Sequence, residues 1–340
     1  MPNRLFEDKY DFLDNLLSAY ARANKMAPSG VKIFLVVEDD FFQQIGLAVT
    51  HTDTIVLGLS ESVAKLKLEP SPDRLVVFLC VQHAQDALPL VEFLYANKIK
   101  YLTFGGANVG GYVYDDSVCR KTIEQAYISQ RIDGYAKFED PGSAQDFVNL
   151  TQALATTNHL DGDVVEAGCY RGSSGALMLE YSQNKNLRPK VFYFFDVFEG
   201  FTYEEALISP DFQWANTHVT EGEEVVRNRL MAKSGRNTVH VKKLNIISDP
   251  LPPEIRSISF ANIDVDLHEA VYSALVRLAP LMAVGGIMIC EDAGHTPALI
   301  GARYALEKFM HSENGKAFTP VHMTSGQVFL VKHSGPAPAA

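Results

Sequence analysis

The sequence predicts an α/β protein with a larger, doubly wound carboxy-terminal sheet over residues 133–333, a smaller α/β domain over 1–132 and a tail at 334–340. Three observations support this. Short apolar, β-rich runs alternate with helical stretches in both halves, as they do where parallel strands are joined by crossover helices. A chain of 340 residues exceeds the roughly 250–300 that one core ordinarily spans. Between the halves, the helical segment Arg120–Arg131 gives way to the polar, Gly- and Pro-containing stretch Asp133–Gly142, which reads as a connection.

In the first half, Leu5, Phe6, Phe12, Leu13, Leu16, Leu17 and Tyr20 recur at mostly helical spacing, so residues 4–23 form an expected amphipathic helix. Strands follow at Val31–Val37, Thr54–Leu57 and Leu75–Val81, then a helix near Ala84–Ala96 and a strand at Lys100–Phe104. In the second half the expected strands are Asp163–Glu166, Val191–Asp196, Thr238–Leu244, Ser259–Asp264, Ile287–Glu291 and Val328–Lys332. Six strands with crossovers give a doubly wound sheet. The stretch Pro210–His218 and the acidic run Glu221–Glu224 interrupt that rhythm after the second strand and suggest a loop or short helix over a site.

A net charge of -11 argues against nucleic acid as a partner, since phosphate-backbone binding needs concentrated basic surface. No run approaches the roughly 18 apolar residues that span a bilayer, and no apolar leader core opens the chain. Cys80, Cys119, Cys169 and Cys290 are widely spaced, without zinc or disulfide patterning. The expected setting is the cytoplasm, with no membrane partner.

The chemistry-bearing residues lie in the second half. Val164-Val165-Glu166-Ala167-Gly168-Cys169-Tyr170-Arg171-Gly172-Ser173-Ser174-Gly175 runs from a buried strand through a glycine turn into a helix. Glycines let backbone approach a ligand, and the helix start offers unpaired N–H donors. The next strand, Phe192-Tyr193-Phe194-Phe195-Asp196, ends in a carboxylate where a ribose diol lies in nucleotide-type sites. Dinucleotide and S-adenosylmethionine sites share this much.

Two further strands close on Ile263-Asp264-Val265-Asp266 and Ile287-Met288-Ile289-Cys290-Glu291-Asp292. Consecutive strands joined by a crossover are usually neighbours, so four carboxylates converge in the crevice where such sheets bind ligands. Like charges crowd unfavourably unless a cation or shared protons compensate. Oxygen ligands of this kind suit magnesium better than zinc. For a hydroxyl nucleophile a divalent ion stabilises the alkoxide, and Asp266 or His268 is then a candidate base.

With these blocks in place, residues 145–333 resemble the macrocin O-methyltransferase family, class I enzymes with a Rossmann-like sheet that methylate sugar hydroxyls of natural products. Gly162-Asp163-Val164-Val165-Glu166-Ala167-Gly168 with Arg171-Gly172 is similar to the family's first motif. Asp196-Val197-Phe198-Glu199-Gly200 is similar to its Asp-Ser-Phe-Glu-Gly block. Asp264-Val265-Asp266 with Glu269, and Gly285-Gly286 through Glu291-Asp292, match two more blocks in order. The resemblance implies S-adenosylmethionine as cofactor, with Asp196 on its ribose and Glu166 and Gly168 at its methionine end. Tyr170, Arg171, Gly172, Ser173 and Phe198 complete the expected cofactor set. It further implies Asp264, Glu291 and Asp292 as ligands of Mg2+ or another divalent cation, Asp266 as base, and a small hydroxylated acceptor. Three positions differ from the family pattern: Glu291 stands for Asp, Val265 for Gly and His268 for Tyr.

Two other functions compete. A nicotinamide-dependent oxidoreductase needs a fuller Gly-x-Gly-x-x-Gly turn than Glu166-x-Gly168-x-x-x-Gly172 supplies. A catalytically silent binding protein of the same fold is disfavoured by the intact acids. In the first half, Val36-Val37-Glu38-Asp39-Asp40 resembles the acidic cluster of a response-regulator receiver, but Gln82 stands at the third strand end where a phosphoacceptor Asp belongs. The expectation there is an accessory domain for oligomerisation, in a homo-oligomer, or for acceptor binding.

Overall fold

The computed structural model describes residues 32–37, 39, 54–69, 75–80, 84–103, 118–119, 122–123, 143–209, 211–294 and 299–335. Outside them lie the expected helix at 4–23, Glu38, Asp40, Gln82, the connection at 133–142, residues 336–340 and all of 120–131 except Thr122 and Ile123. The chain divides into two compact units, Met1–Ser117 and Val118–Ala340.

The first unit holds β1 (Lys32–Val37), β2 (Thr54–Gly58), α1 (Leu59–Leu66), β3 (Leu75–Cys80), α2 (Ala84–Ala96) and β4 (Lys100–Thr103). Its sheet is wholly parallel in the order β2-β1-β3-β4. Five successive residues of β1, Ile33 to Val37, are buried, the run expected of a central parallel strand covered on both faces. Phe34, Val36, Leu57, Val77, Leu79, Leu90 and Leu94 share one core cluster. Asp39 is engaged structurally: Oδ1 accepts from the backbone N–H of Ser60 at 3.1 Å and from its hydroxyl at 3.0 Å, holding the start of α1.

The second unit begins, among its described residues, with Val118, Cys119, Thr122 and Ile123. Cys119 Sγ lies 3.0 Å from Thr151 Oγ1, and Thr122 Oγ1 accepts from Asn184 Nδ2 at 3.0 Å. Then come α3 (Ser143–Thr157), β5 (Asp163–Ala167), α4 (Ser173–Asn184), β6 (Val191–Asp196), α5 (Glu204–Ile208), α6 (Glu223–Met231), β7 (Thr238–Lys243) and β8 (Ile258–Ile263). The unit ends with α7 (His268–Leu278), β9 (Met282–Cys290), α8 (Ile300–Met310), β10 (Phe318–His322) and β11 (Val328–Lys332).

The strand order is β10-β11-β9-β8-β5-β6-β7, the doubly wound sheet that the alternation predicts. It has seven strands where the sequence reading has six. The additional one, β10, carries Pro320 and buries only Phe318. A proline without an N–H and four exposed positions erase the strand signal, and both are tolerated because β10 is the sheet edge. From β5 the chain winds outward through β6 and β7, then returns to β8 and β9 on the other side, so the direction of winding switches between β5 and β8. Crevices at such switch points, outside the carboxyl ends of the strands, are where these sheets bind ligands.

All six residues of β8 are buried, and Phe260 has no exposed surface. Phe260→Ala is expected to cost about 3–5 kcal/mol through lost transfer energy and the cavity left behind. Urea unfolding read by the fluorescence of Trp214, the protein's single tryptophan, reports on this unit, and an unshifted midpoint would show that β8 is not the centre of its core.

Candidate active site

The glycine turn after β5 is fastened on both sides. Gly168 and Cys169 donate their backbone N–H groups to the Phe195 carbonyl at 2.8 and 3.1 Å, which ties the turn to β6. On the other side Asp264 N–H donates to the Ala167 carbonyl at 2.9 Å. A Cβ on Gly168 would lie 1.6 Å from the Asp264 carbonyl oxygen, and its φ of +89° is itself a glycine conformation. Only glycine fits. The chain then passes through Tyr170, with φ of 45°, and reaches Gly172, which caps α4.

Asp196 closes β6 and is oriented by backbone. Its Oδ2 accepts from Tyr170 N–H and its Oδ1 from Phe198 N–H, both at 2.7 Å. A carboxylate offers about four acceptor sites, so capacity remains beside these N–H groups for a further donor such as a ribose hydroxyl. Burial raises the carboxyl's pKa, while the N–H groups of Phe198 and Tyr170 oppose that rise. Phe198 is buried and serves Asp196 through its backbone. Arg171 lies over the Tyr170 ring, 5.1 Å from its centroid, and 3.7 Å from Glu221.

A cavity of about 230 Å3 opens at the strand ends, lined among others by Gly168, Asp196, Leu244, Ile246 and the acids of β8 and β9. Asp264, Asp266 and Asp292 each bring one carboxylate oxygen within 4.8 Å of the others. Asp266 holds φ of 54°, and its N–H donates to Asp292 Oδ2 at 3.2 Å. No lysine or arginine lines this cavity among the described residues.

Three further expected residues stand outside that trio. Glu291 lines the cavity but stands outside the trio: its Oε2 accepts from Gln327 Nε2 at 2.6 Å, and Gln327 Oε1 accepts from Asn149 Nδ2 at 2.6 Å. Burial, then the Asp146 charge, pushes the Glu291 carboxyl well above its usual range. His268 does not line the cavity; its N–H donates to Asp211 Oδ2 at 3.1 Å and its ring stacks on Tyr304 with centroids 4.9 Å apart. Glu166 lies beneath the floor, fully buried, with Oε1 accepting from Asn262 Nδ2 at 3.1 Å.

Sequence reasoning missed His218 and Tyr203, which reach the cavity from the segment between β6 and α6. That segment is folded back on itself: Phe201 N–H donates to Thr217 O, Asn216 N–H to Phe201 O and Thr220 N–H to Phe198 O. Phe201, Ala206 and Leu267 form its buried cluster, with Tyr203 and Trp214 against it. The Thr217 hydroxyl donates to the Trp214 carbonyl at 2.6 Å, so the 2.7 Å contact with His218 Nδ1 has the imidazole N–H as donor. Burial lowers the His218 pKa against the opposing charges of Asp292 and Asp196. The neutral ring thus carries its lone pair on Nε2. No motif marks these positions; the only signal is a break in rhythm that aligns with a lid.

A glycine turn that opens a helix and a carboxylate oriented for a ribose diol, at the switch point of a doubly wound sheet, define a nucleoside-cofactor site of the kind class I methyltransferases and dinucleotide enzymes share. Comparison with known families narrows the class to O-methylation: the model described as macrocin-O-methyltransferase (TylF) matches residues 144–323, more than half of the chain, and the chain belongs to that family. It is similar to the demethyldecarbamoylnovobiocin O-methyltransferase of Streptomyces niveus, 26% identical over 200 residues that cover 54% of this chain and 76% of the relative. Among solved structures, the O-methyltransferase NovP is 22% identical with a TM-score of 0.45, covering 55% of this chain and 78% of that one. The calicheamicin methyltransferase CalS11 is 14% identical with a TM-score of 0.47, covering 66% and 97%.

Burial raises the Glu166 carboxyl from its ordinary 4.5 to about 7, with hydrogen bonds from Ser174 and then Asn262 opposing. Because the folded protein binds this proton more readily than the unfolded chain, the stabilising contribution is complete below the ordinary value and is lost as pH rises through about 7. Glu166→Gln, which stays neutral, should flatten the fall in stability between pH 5 and pH 8 by roughly 2–3 kcal/mol. Urea midpoints across that range test this, and parallel curves for parent and variant would refute it.

Proposed function

We propose that the protein transfers the methyl group of S-adenosylmethionine to a hydroxyl of a small natural-product intermediate, such as a sugar-bearing one, with the help of a divalent cation. The carrying observation is the convergence of Asp264, Asp266 and Asp292 within 4.8 Å, in the same cavity as Asp196. Three carboxylates so close repel one another, and a cation is the economical remedy. Support for a natural-product acceptor comes from the Streptomyces niveus relative, whose name places its own methyl group on demethyldecarbamoylnovobiocin.

In this reading Asp264 and Asp292 hold the ion and Asp196 receives the ribose hydroxyls. Mg2+ supplies the positive charge that lets a hydroxyl lose its proton at neutral pH, and the cofactor supplies the methyl group. Asp266 is the proton acceptor, since it faces the cavity from the loop after β8 while His268 does not reach it. His218 offers its Nε2 lone pair from the lid and orients the acceptor hydroxyl by accepting a hydrogen bond. Tyr203, whose phenol is kept protonated by burial and by the Asp266 charge, donates from the same side. The amino-terminal domain, residues 1–132 in the sequence reading, is an accessory domain for acceptor binding or self-association.

Asp264→Ala should weaken Mn2+ binding, read by electron paramagnetic resonance, at least tenfold while leaving S-adenosylhomocysteine affinity within threefold. Asp196→Ala should do the reverse. Removing a carboxylate that accepts from the ribose costs about 1.5–3 kcal/mol, roughly ten- to hundredfold in cofactor affinity by calorimetry. Unchanged Mn2+ binding in Asp264→Ala would sink the metal assignment and leave the cofactor assignment standing.

A further inference from the structure

Behind the glycine turn a smaller cavity of about 60 Å3 continues from the main one, sharing Asp146, Gly168, Tyr170, Asp264 and Glu291 with it. That is roughly two to four waters' worth of space, enough for an amino-acid head group and too little for a sugar. Its lining combines two kinds of chemistry. Arg171, Ser173 and Ser174 come from the start of the twelve-residue helix α4, and helix starts and guanidinium groups favour an anion. Asp146, Asn262 and Glu291 bring acceptors.

Asn262 gives an observation independent of the acids. It is 1% exposed, its amide donates to Glu166, and its Oδ1 has no hydrogen-bond partner among the described residues. A buried carbonyl oxygen without a donor costs free energy until a ligand supplies one. Glu291 is likewise fixed: Gln327, itself held by Asn149, donates to Oε2 and holds the carboxylate outside the aspartate trio. Glutamate is one methylene longer than aspartate, which extends the reach of this side chain toward Gln327.

Donors and acceptors that line one cavity the size of a head group suit a zwitterion. We propose that Glu291 and Asn262 receive the α-ammonium of the cofactor's methionine moiety, and that Glu291 is a specificity residue for that amine rather than a metal ligand. The carboxylate of the same moiety lies toward Ser173, Ser174 and Arg171. This rests on the reading that the larger cavity takes S-adenosylmethionine.

The test compares two commercially or synthetically accessible ligands by calorimetry on the full chain: S-adenosylhomocysteine and 5′-deoxy-5′-(3-carboxypropylthio)adenosine, which lacks only the α-amine. The parent is expected to prefer the amine-bearing ligand more than tenfold. Glu291→Gln, which is isosteric, should bring that ratio to within threefold of unity, chiefly by losing affinity for S-adenosylhomocysteine. Mn2+ binding, whatever its strength in the parent, should be unchanged in the variant. Glu291→Asp, folded by the criterion of an unshifted melting transition, should also lose the amine preference because it no longer spans to Gln327. An unaltered ratio in both variants overturns the proposal, as does a tenfold loss of Mn2+ binding in Glu291→Gln. Failure of the parent to bind either ligand overturns the cofactor reading itself, and this inference with it.

Discussion

Gly168 and the carbonyl of Asp264 occupy space that cannot hold both a Cβ and an oxygen, and the site is organised around that exclusion. Because the side chain is missing, β5 and β8 approach closely enough for Asp264 N–H to reach Ala167 O. The same contact fixes two functions at once. On the β5 side it sets the path of the turn that offers Tyr170 N–H to Asp196; on the β8 side it aims Asp264 into the cleft. Cofactor turn and acid cluster are therefore one rigid object, built at the point where the sheet reverses its winding.

Charge is the second organising quantity. The cavity gathers Asp146, Asp196, Asp264, Asp266, Glu291 and Asp292, with no lysine or arginine on its lining among the described residues. Burial raises the carboxyl pKa values of Glu166, Asp196 and Glu291, and a positively charged ligand nearby favours the ionised form of such groups. The β8 and β9 strands beneath bury Ile258, Phe260, Met288 and Ile289 together with the polar Ser259 and Asn262.

Much of this was legible in the residue order. Period-two and continuous apolar runs marked ten of the eleven described strands, since each buries side chains in a pattern of its own. The exception, β10, is an edge that buries one residue and interrupts itself with Pro320. The acids at Asp196, Asp264, Asp266 and Asp292 were visible because they terminate apolar strands, where a charge is conspicuous. Glu291 was visible for the same reason, but its direction was not: which way a carboxylate turns depends on Gln327 and Asn149, 36 residues after and far before it in the chain. His218 and Tyr203 are marked only by the break in rhythm between β6 and α6, because a loop folding back on itself carries no periodicity. His268 is adjacent in sequence to the acids, and its stacking on Tyr304 is a direction that adjacency does not reveal.

Gln327 has a bearing on where the catalytic unit ends. The family match stops at residue 323, inside the β10–β11 hairpin and short of Gln327. Yet this glutamine clasps Glu291 on one side and Asn149, on α3, on the other. The closing hairpin is thus a brace reaching back from the rim of the sheet to the ligand crevice. A fragment trimmed to the matched span would keep every acid and forfeit the strut that orients one of them.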